Sequence, residues 1–296
     1  MKQILPLLTV IFILCSLCSC AASEPPAQIA ATTLPVFEFT ARLCDGTDIT
    51  VSRLVTENVS CLHDYSLNVR QVRAAEAAEV IVISGAGLEE FMEDLLHGKS
   101  VIDSSANVSL IEDTDGHDHE HDHGDHDHHH HDADSHIWLS PINAKIMAAN
   151  ICNGLSAQYP QHADTFNANL SILLADLDAL HGYGQSQLSD LKSRELITFH
   201  DGFAYLAQCY DLEILDAVEE ESGSEASAAE LIHLIEEVQH HQLPAIFTET
   251  MGSVSAAQII SAETGVPIYT LDMAMQGESY FDAMYHNIQT LKGALE

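Results

Sequence analysis

Glu79-Val-Ile-Val-Ile-Ser84, closed by Gly85, is the stretch that decides the fold. Its centre is a run of β-branched residues with no polar face, too short for a helix and ended by a turn former. Such a run reads as a strand buried on both sides, the kind found inside a parallel sheet flanked by helices. Upstream, Val69 to Ala78 is rich in Ala, Arg and Glu and reads as a helix feeding that strand. Asp48 to Val55 alternates as a second strand, Leu34 to Cys44 reads as a helix, and Gln28 to Thr33 as the first strand. Downstream, Leu88 to Leu96 reads as helix and Val108 to Ile111 as a fourth strand.

The alternation then recurs. Pro141 to Gln158 reads as a helix opened by Ser140 as cap and Pro in its first turn. From His162 to about Leu191, apolar residues keep helical spacing through Phe166, Leu170, Leu173, Leu174, Leu177, Leu180, Leu188 and Leu191. That makes a rod of about 40 Å, with Gly182 and Gly184 as places to bend. Strands follow at Glu195–Phe199, Glu213–Ala217, Ala245–Thr248 and Ile268–Leu271. Helices fill Gly202–Tyr210, Ala228–His241, Ser253–Thr264 and Tyr280–Ala294, and Ser227-Ala-Ala-Glu230 is a capping box. The expected fold is therefore α/β with two lobes, each a mostly parallel four-stranded sheet with flanking helices, joined by one long rigid helix.

The expected divisions are a lipoprotein signal over 1–20, a tether over 21–27 and an N-terminal lobe over 28–160. A connecting helix over 161–192 and a C-terminal lobe over 193–296 complete the chain. Met1-Lys2-Gln3 is a short basic start, and Ile4 to Leu17 is too short to span a bilayer but suits a secretory signal. Leu17-Cys18-Ser19-Cys20 resembles a bacterial lipobox, with Cys20 as the lipid-bearing residue. The expected location is extracytoplasmic, lipid-anchored to the cell membrane, at the cell surface or in the periplasm. Export permits disulfides, and Cys44 and Cys61 are a candidate pair, whereas Cys152 and Cys209 fall in helical patterns as core residues.

Lys and Arg total 10 against 45 Asp and Glu, a formal charge of −35. Such a surface repels nucleic acid and attracts cations. Between residues 117 and 131 stand nine histidines, His117, His119, His121, His123, His126, His128, His129, His130 and His131, interleaved mainly with Asp. No core accommodates so many titratable groups, so the run, within a loop over 115–133, reads as an exposed auxiliary metal-binding loop.

Four other residues fall at or beyond the carboxyl ends of expected strands: His63, His136, His200 and Asp272. That edge is where open α/β sheets bind ligands. Two come from each lobe, so a cleft between the lobes is their expected meeting place. Three imidazoles and a carboxylate form a donor set that zinc accepts. His119-Glu-His-Asp-His123 matches a zinc-protease pattern, but that chemistry needs a helix and this stretch has no apolar face. Ser84-Gly-Ala-Gly87 lacks the third glycine of a dinucleotide loop and reads as a tight strand-to-helix turn.

Four stretches in order carry a resemblance over nearly the whole mature chain: His63-Asp-Tyr65, Asp134-Ser-His136-Ile-Trp-Leu-Ser-Pro141, Thr198-Phe-His200-Asp-Gly-Phe203-Ala-Tyr205, and Glu263 to Asp272. The chain resembles the zinc-type metal-binding lipoproteins, the cluster A-I solute-binding proteins of ABC zinc and manganese importers. The resemblance implies His63, His136 and His200 as imidazole ligands, Asp272 as the fourth ligand, and an ABC permease as partner. Manganese-preferring members typically carry Glu at the third position, so His200 places zinc ahead of manganese. Leu62 and Ser135 stand where the family commonly has proline. The implied function is binding and delivery, not catalysis. The alternatives are an extracellular zinc buffer or adhesin without transport, and a zinc-dependent hydrolase.

Overall fold

The computed structural model describes residues 26–57, 59, 62, 65–112, 133–218 and 226–296. The signal region with Cys20, together with Cys61, His63 and the histidine run 117–131, lies outside the described residues.

The N-terminal half contains β1 (Ile29–Ala31), α1 (Leu34–Cys44), β2 (Val51–Arg53), α2 (Val69–Ala77), β3 (Val80–Ile83), α3 (Glu93–Leu96) and β4 (Ser100–Asp103). A short 3-10 turn at Ile137–Leu139 leads into α4 (Pro141–Gln158), and α5 (Ala163–Gln187) follows. The C-terminal half contains β5 (Glu195–Thr198), α6 (Ala204–Cys209), β6 (Glu213–Ala217), α7 (Ala228–His241), β7 (Ile246–Glu249), α8 (Ser255–Thr264), β8 (Ile268–Leu271) and α9 (Tyr280–Leu295).

Both sheets are parallel and have the same order, β2-β1-β3-β4 and β6-β5-β7-β8. In each, the chain reverses its direction of travel between the two central strands. The expected two-lobed α/β architecture with a long joining helix is the one observed. One strand is corrected: the fourth lies at Ser100–Asp103, paired with β3, and not at Val108–Ile111. The apolar residues of the latter serve another purpose, since Ile111 accepts the Asp134 N–H at 3.0 Å and Glu112 bridges Ala133 in antiparallel fashion. The expected helix Leu88–Leu96 is also shorter, a 3-10 turn at Glu90–Met92 running into α3.

Alternation within the strands explains the layers. Ile29, Ala31, Val80 and Val82 face one core, while Ala30 and Ile81 face another with Leu54, Ala75 and Met92. In the second sheet, Leu196 and Phe247 face the first core, whereas Ile197 and Ile246 pack with Leu234, Val238 and Ile260 of α7 and α8. The inner faces of both sheets thus share one continuous apolar core with α1, α4, α5 and α9.

Helix α5 runs through that shared core, burying Phe166, Leu173, Leu177 and Leu180. Neither Gly182 nor Gly184 interrupts it. Arg42 of α1 pairs with Asp176, and Lys145 of α4 pairs with Asp178. Asn169 donates to the carbonyls of Leu43 and Asp45 at 2.9 Å each. At the other end, Lys292 of α9 donates to Gln187 at 2.8 Å. Exposed ion pairs contribute at most about 1 kcal/mol each; the buried apolar stripe is the larger stabilising term. No described helix is long and apolar enough to cross a membrane.

Cys44, expected to bridge Cys61, is a free thiol, 4% exposed. It sits on the core-facing side of α1, and burial pushes its pKa up to about 12. Cys152 is buried as expected, while Cys209 is half-buried with its Sγ 3.5 Å from His181 Nδ1.

Candidate metal centre

His136 is the last residue before the 3-10 turn Ile137–Leu139, whose three side chains are fully buried. That apolar plug fixes the backbone of His136 against the shared core. Trp138 then donates its indole N–H to the Met273 carbonyl at 2.7 Å, and the Tyr280 hydroxyl donates to the Trp138 carbonyl at 2.8 Å. Both partners belong to the C-terminal half. The segment carrying His136 is therefore tied to the loop that follows β8.

His200 leaves the carboxyl end of β5, where the Phe199 N–H donates to Phe247 of β7 at 2.9 Å. This is the switch point of the second sheet, the position at which open α/β sheets bind ligands. Gly202 lies against the ring: a Cβ there would stand 2.8 Å from His200 Cδ2 and 3.0 Å from its Nε2.

The two imidazoles meet. They are 2% and 3% exposed, their rings are edge-to-face at 5.2 Å, and their Nε2 atoms lie 3.4 Å apart. Asp134 Oδ1 lies 2.8 Å from both the main-chain nitrogen and Nδ1 of His136. With Nδ1–H donating to that carboxylate, the Nε2 of His136 is left as the acceptor nitrogen, and it faces the Nε2 of His200. A carboxylate behind the imidazole is the usual outer support of a metal-bound histidine. Two nitrogens on one tetrahedral zinc, each about 2.0–2.1 Å from it, lie about 3.3 Å apart. The observed separation matches that spacing.

The other expected ligands stand differently. His63 lies outside the described residues. Gln71 donates to Leu54 O, Glu57 and Tyr65 OH at 2.9, 2.7 and 2.6 Å. Asp272 does follow β8, but its Oδ1 accepts the Ala274 N–H at 2.7 Å, and its main chain is bracketed by Asn287. Among the described residues, no three His, Cys, Asp or Glu side chains form a group able to hold a metal. Among the described residues, the structure brings His136 and His200 within 3.4 Å of each other.

Two acidic residues escaped the sequence reading. Glu249 ends β7 beside β5 and is 3% exposed; a Glu closing the apolar run Ala-Ile-Phe-Thr was its signal. Glu89 is 4% exposed and accepts from the Thr32 hydroxyl, the Ser84 N–H and the Gly85 N–H at 2.6, 2.7 and 3.0 Å. Burial pushes its pKa up to about 7. Gly85, Ala86 and Gly87 all have positive φ, giving the tight turn expected there. The amide donors of Ser84 and Gly85 are spent on the protein's own carboxylate.

Two similar parallel sheets on one shared helix, with buried imidazoles converging between them, define a two-lobed solute-binding protein. The family model for ZnuA, zinc-uptake complex component A, periplasmic, matches residues 29–294, and the chain belongs to that family. It is 29% identical over 288 residues to a protein of Treponema pallidum (strain Nichols) described as metal-binding, covering 92% of this chain and 90% of that one. The zinc-binding lipoprotein AdcA of Streptococcus pneumoniae serotype 4 is 30% identical over 282 residues; these cover 90% of this chain and 55% of that relative's length. A crystal structure of ZnuA superposes with a TM-score of 0.79 at 29% identity, covering 91% of this chain and all (100%) of that one. The zinc-bound ZnuA-like domain of S. pneumoniae AdcA gives 0.74 at 27% identity, covering 91% and 98%.

Proposed function

We propose that the chain is the extracytoplasmic zinc-binding component of an ABC metal importer, held at the membrane by a lipid on Cys20. It takes zinc between its lobes through His63, His136, His200 and Asp272 and delivers it to the permease. The observation that carries this reading is the pair of buried Nε2 atoms 3.4 Å apart, spaced as neighbours on one tetrahedral ion. Family membership and the zinc-bound state of the AdcA domain support it.

Zinc is cargo here, so the site must bind tightly and still release. The continuous core opposes a wide hinge motion, because opening the lobes would expose apolar surface on both sheets. Release then falls to local movement of the segments that carry the ligands. The histidine run 117–131 supplies weaker, rapidly exchanging sites that raise the local zinc concentration.

The test is calorimetric titration of the metal-stripped chain with zinc and manganese, beside His200→Ala and a deletion of 117–131. The expected result is one tight zinc site that His200→Ala removes, and a lower stoichiometry with that site retained in the deletion. A tight site unchanged in His200→Ala would overturn the assignment.

A further inference from the structure

Tyr205 belongs to α6, five residues after His200, and is fully buried. Its hydroxyl accepts the Ile111 N–H at 3.0 Å and donates to the Asp134 carbonyl at 2.9 Å. Ile111 and Asp134 are the two ends of the stem from which segment 113–132 departs, joined to each other by the Asp134 N–H to Ile111 O bond. One phenol oxygen from the C-terminal half thus fastens both strands of an N-terminal stem. The residue it grips, Asp134, is the one whose carboxylate holds His136 by both its main chain and its ring.

We propose that Tyr205 is a positioning residue for the metal site, setting Asp134 beneath His136 so that the imidazole of one lobe stays in register with His200 of the other. This rests on the reading of His136 and His200 as zinc ligands. His200 and the phenol stand five residues apart on the short stretch from the end of β5 into α6, so a displacement of the stem moves His136 relative to its partner. Trp138 and Tyr280 hold the other side of the segment, at Met273 O and Trp138 O. That contact fixes the backbone after His136; the Tyr205 bond fixes Asp134, two residues before it, from across the lobes.

Tyr205→Phe keeps the ring in the core and removes the hydroxyl. Its zinc dissociation constant, measured with zinc ion alone by chelator competition, is expected to rise about 10- to 100-fold, the usual effect of losing outer support of a ligand. Asp134→Ala is expected to do the same. If Tyr205 acts through Asp134, the double variant is no weaker than the weaker single one. Multiplying effects would overturn the proposal. So would Tyr205→Phe with wild-type zinc affinity and only a lower melting temperature in the metal-free state, the outcome of a purely structural bond. His200→Ala separates the two readings. If it leaves tight binding intact, the metal site itself is wrong; if it abolishes binding while Tyr205→Phe behaves as wild type, only the role of Tyr205 fails.

Discussion

Replacing Gly202 by alanine should weaken zinc binding without unfolding the chain. The added Cβ would stand 2.8 Å from Cδ2 and 3.0 Å from Nε2 of His200, and 2.7 Å from Met273 Cε. The methionine contact is cheap, because Cε ends a flexible side chain and swings away. The imidazole is different, since it is buried and packed edge-on against His136. Reaching ordinary contact distance requires a retreat of about 0.6 Å, three times the roughly 0.2 Å tolerance of a zinc–ligand bond. In the metal-free chain the ring is able to yield; with zinc bound it must hold its place, so the strain falls mainly on the bound state. Overpacking of this kind costs about 1–3 kcal/mol, which corresponds to an affinity loss of about 5- to 150-fold. Calorimetric zinc titration, with a thermal melt of the metal-free variant as a check on folding, reads this directly. A folded Gly202→Ala chain that binds zinc within twofold of the parent would refute the reasoning, because His200 would then have room to move or would not ligate.

Two substitutions on the connecting helix should have opposite signs. Gly182→Ala meets nothing within 4 Å and should stabilise the metal-free chain by about 0.5–1 kcal/mol through helix propensity. Gly184→Ala drives a Cβ into the buried ring of Tyr210 and should destabilise by about 1–3 kcal/mol; urea unfolding measures both. Glu89 predicts a pH effect: its pKa rises from 4.5 to about 7 on folding, so the native state holds a proton that the unfolded chain has lost. Its contribution is therefore present below about pH 4.5 and is lost as pH rises towards 7, by at most about 3 kcal/mol. Glu89→Gln should flatten the stability-versus-pH curve across that window, and parallel curves for the two proteins would count against the assignment.

Much of this molecule was legible in one dimension. The run Val80–Ile83 is β-branched throughout, so it had to be a strand covered on both faces, and its recurrence at Ile197 and Ile246 gave the second sheet. Helix α4 begins at Ser140-Pro141 because a cap and a preset φ are local properties, and its bounds matched the reading. His136 and His200 were recognisable because a polar, metal-ligating residue at the end of an apolar strand or plug has no role in packing.

What only the tertiary structure decided is pairing and partnership. Val108–Ile111 is apolar enough to read as a strand, yet Ser100–Asp103 took the place beside β3, since strand pairing depends on which backbone edge is available. Cys44 was paired with Cys61 on sequence separation, but the face of α1 that it occupies points into the core. The 3.4 Å approach of the two imidazoles and the phenol of Tyr205 on Ile111 and Asp134 join residues from 64 to 94 positions apart, across the lobes. Local patterning sets where each side chain leaves its strand; the shared core sets how closely the two lobes bring them together.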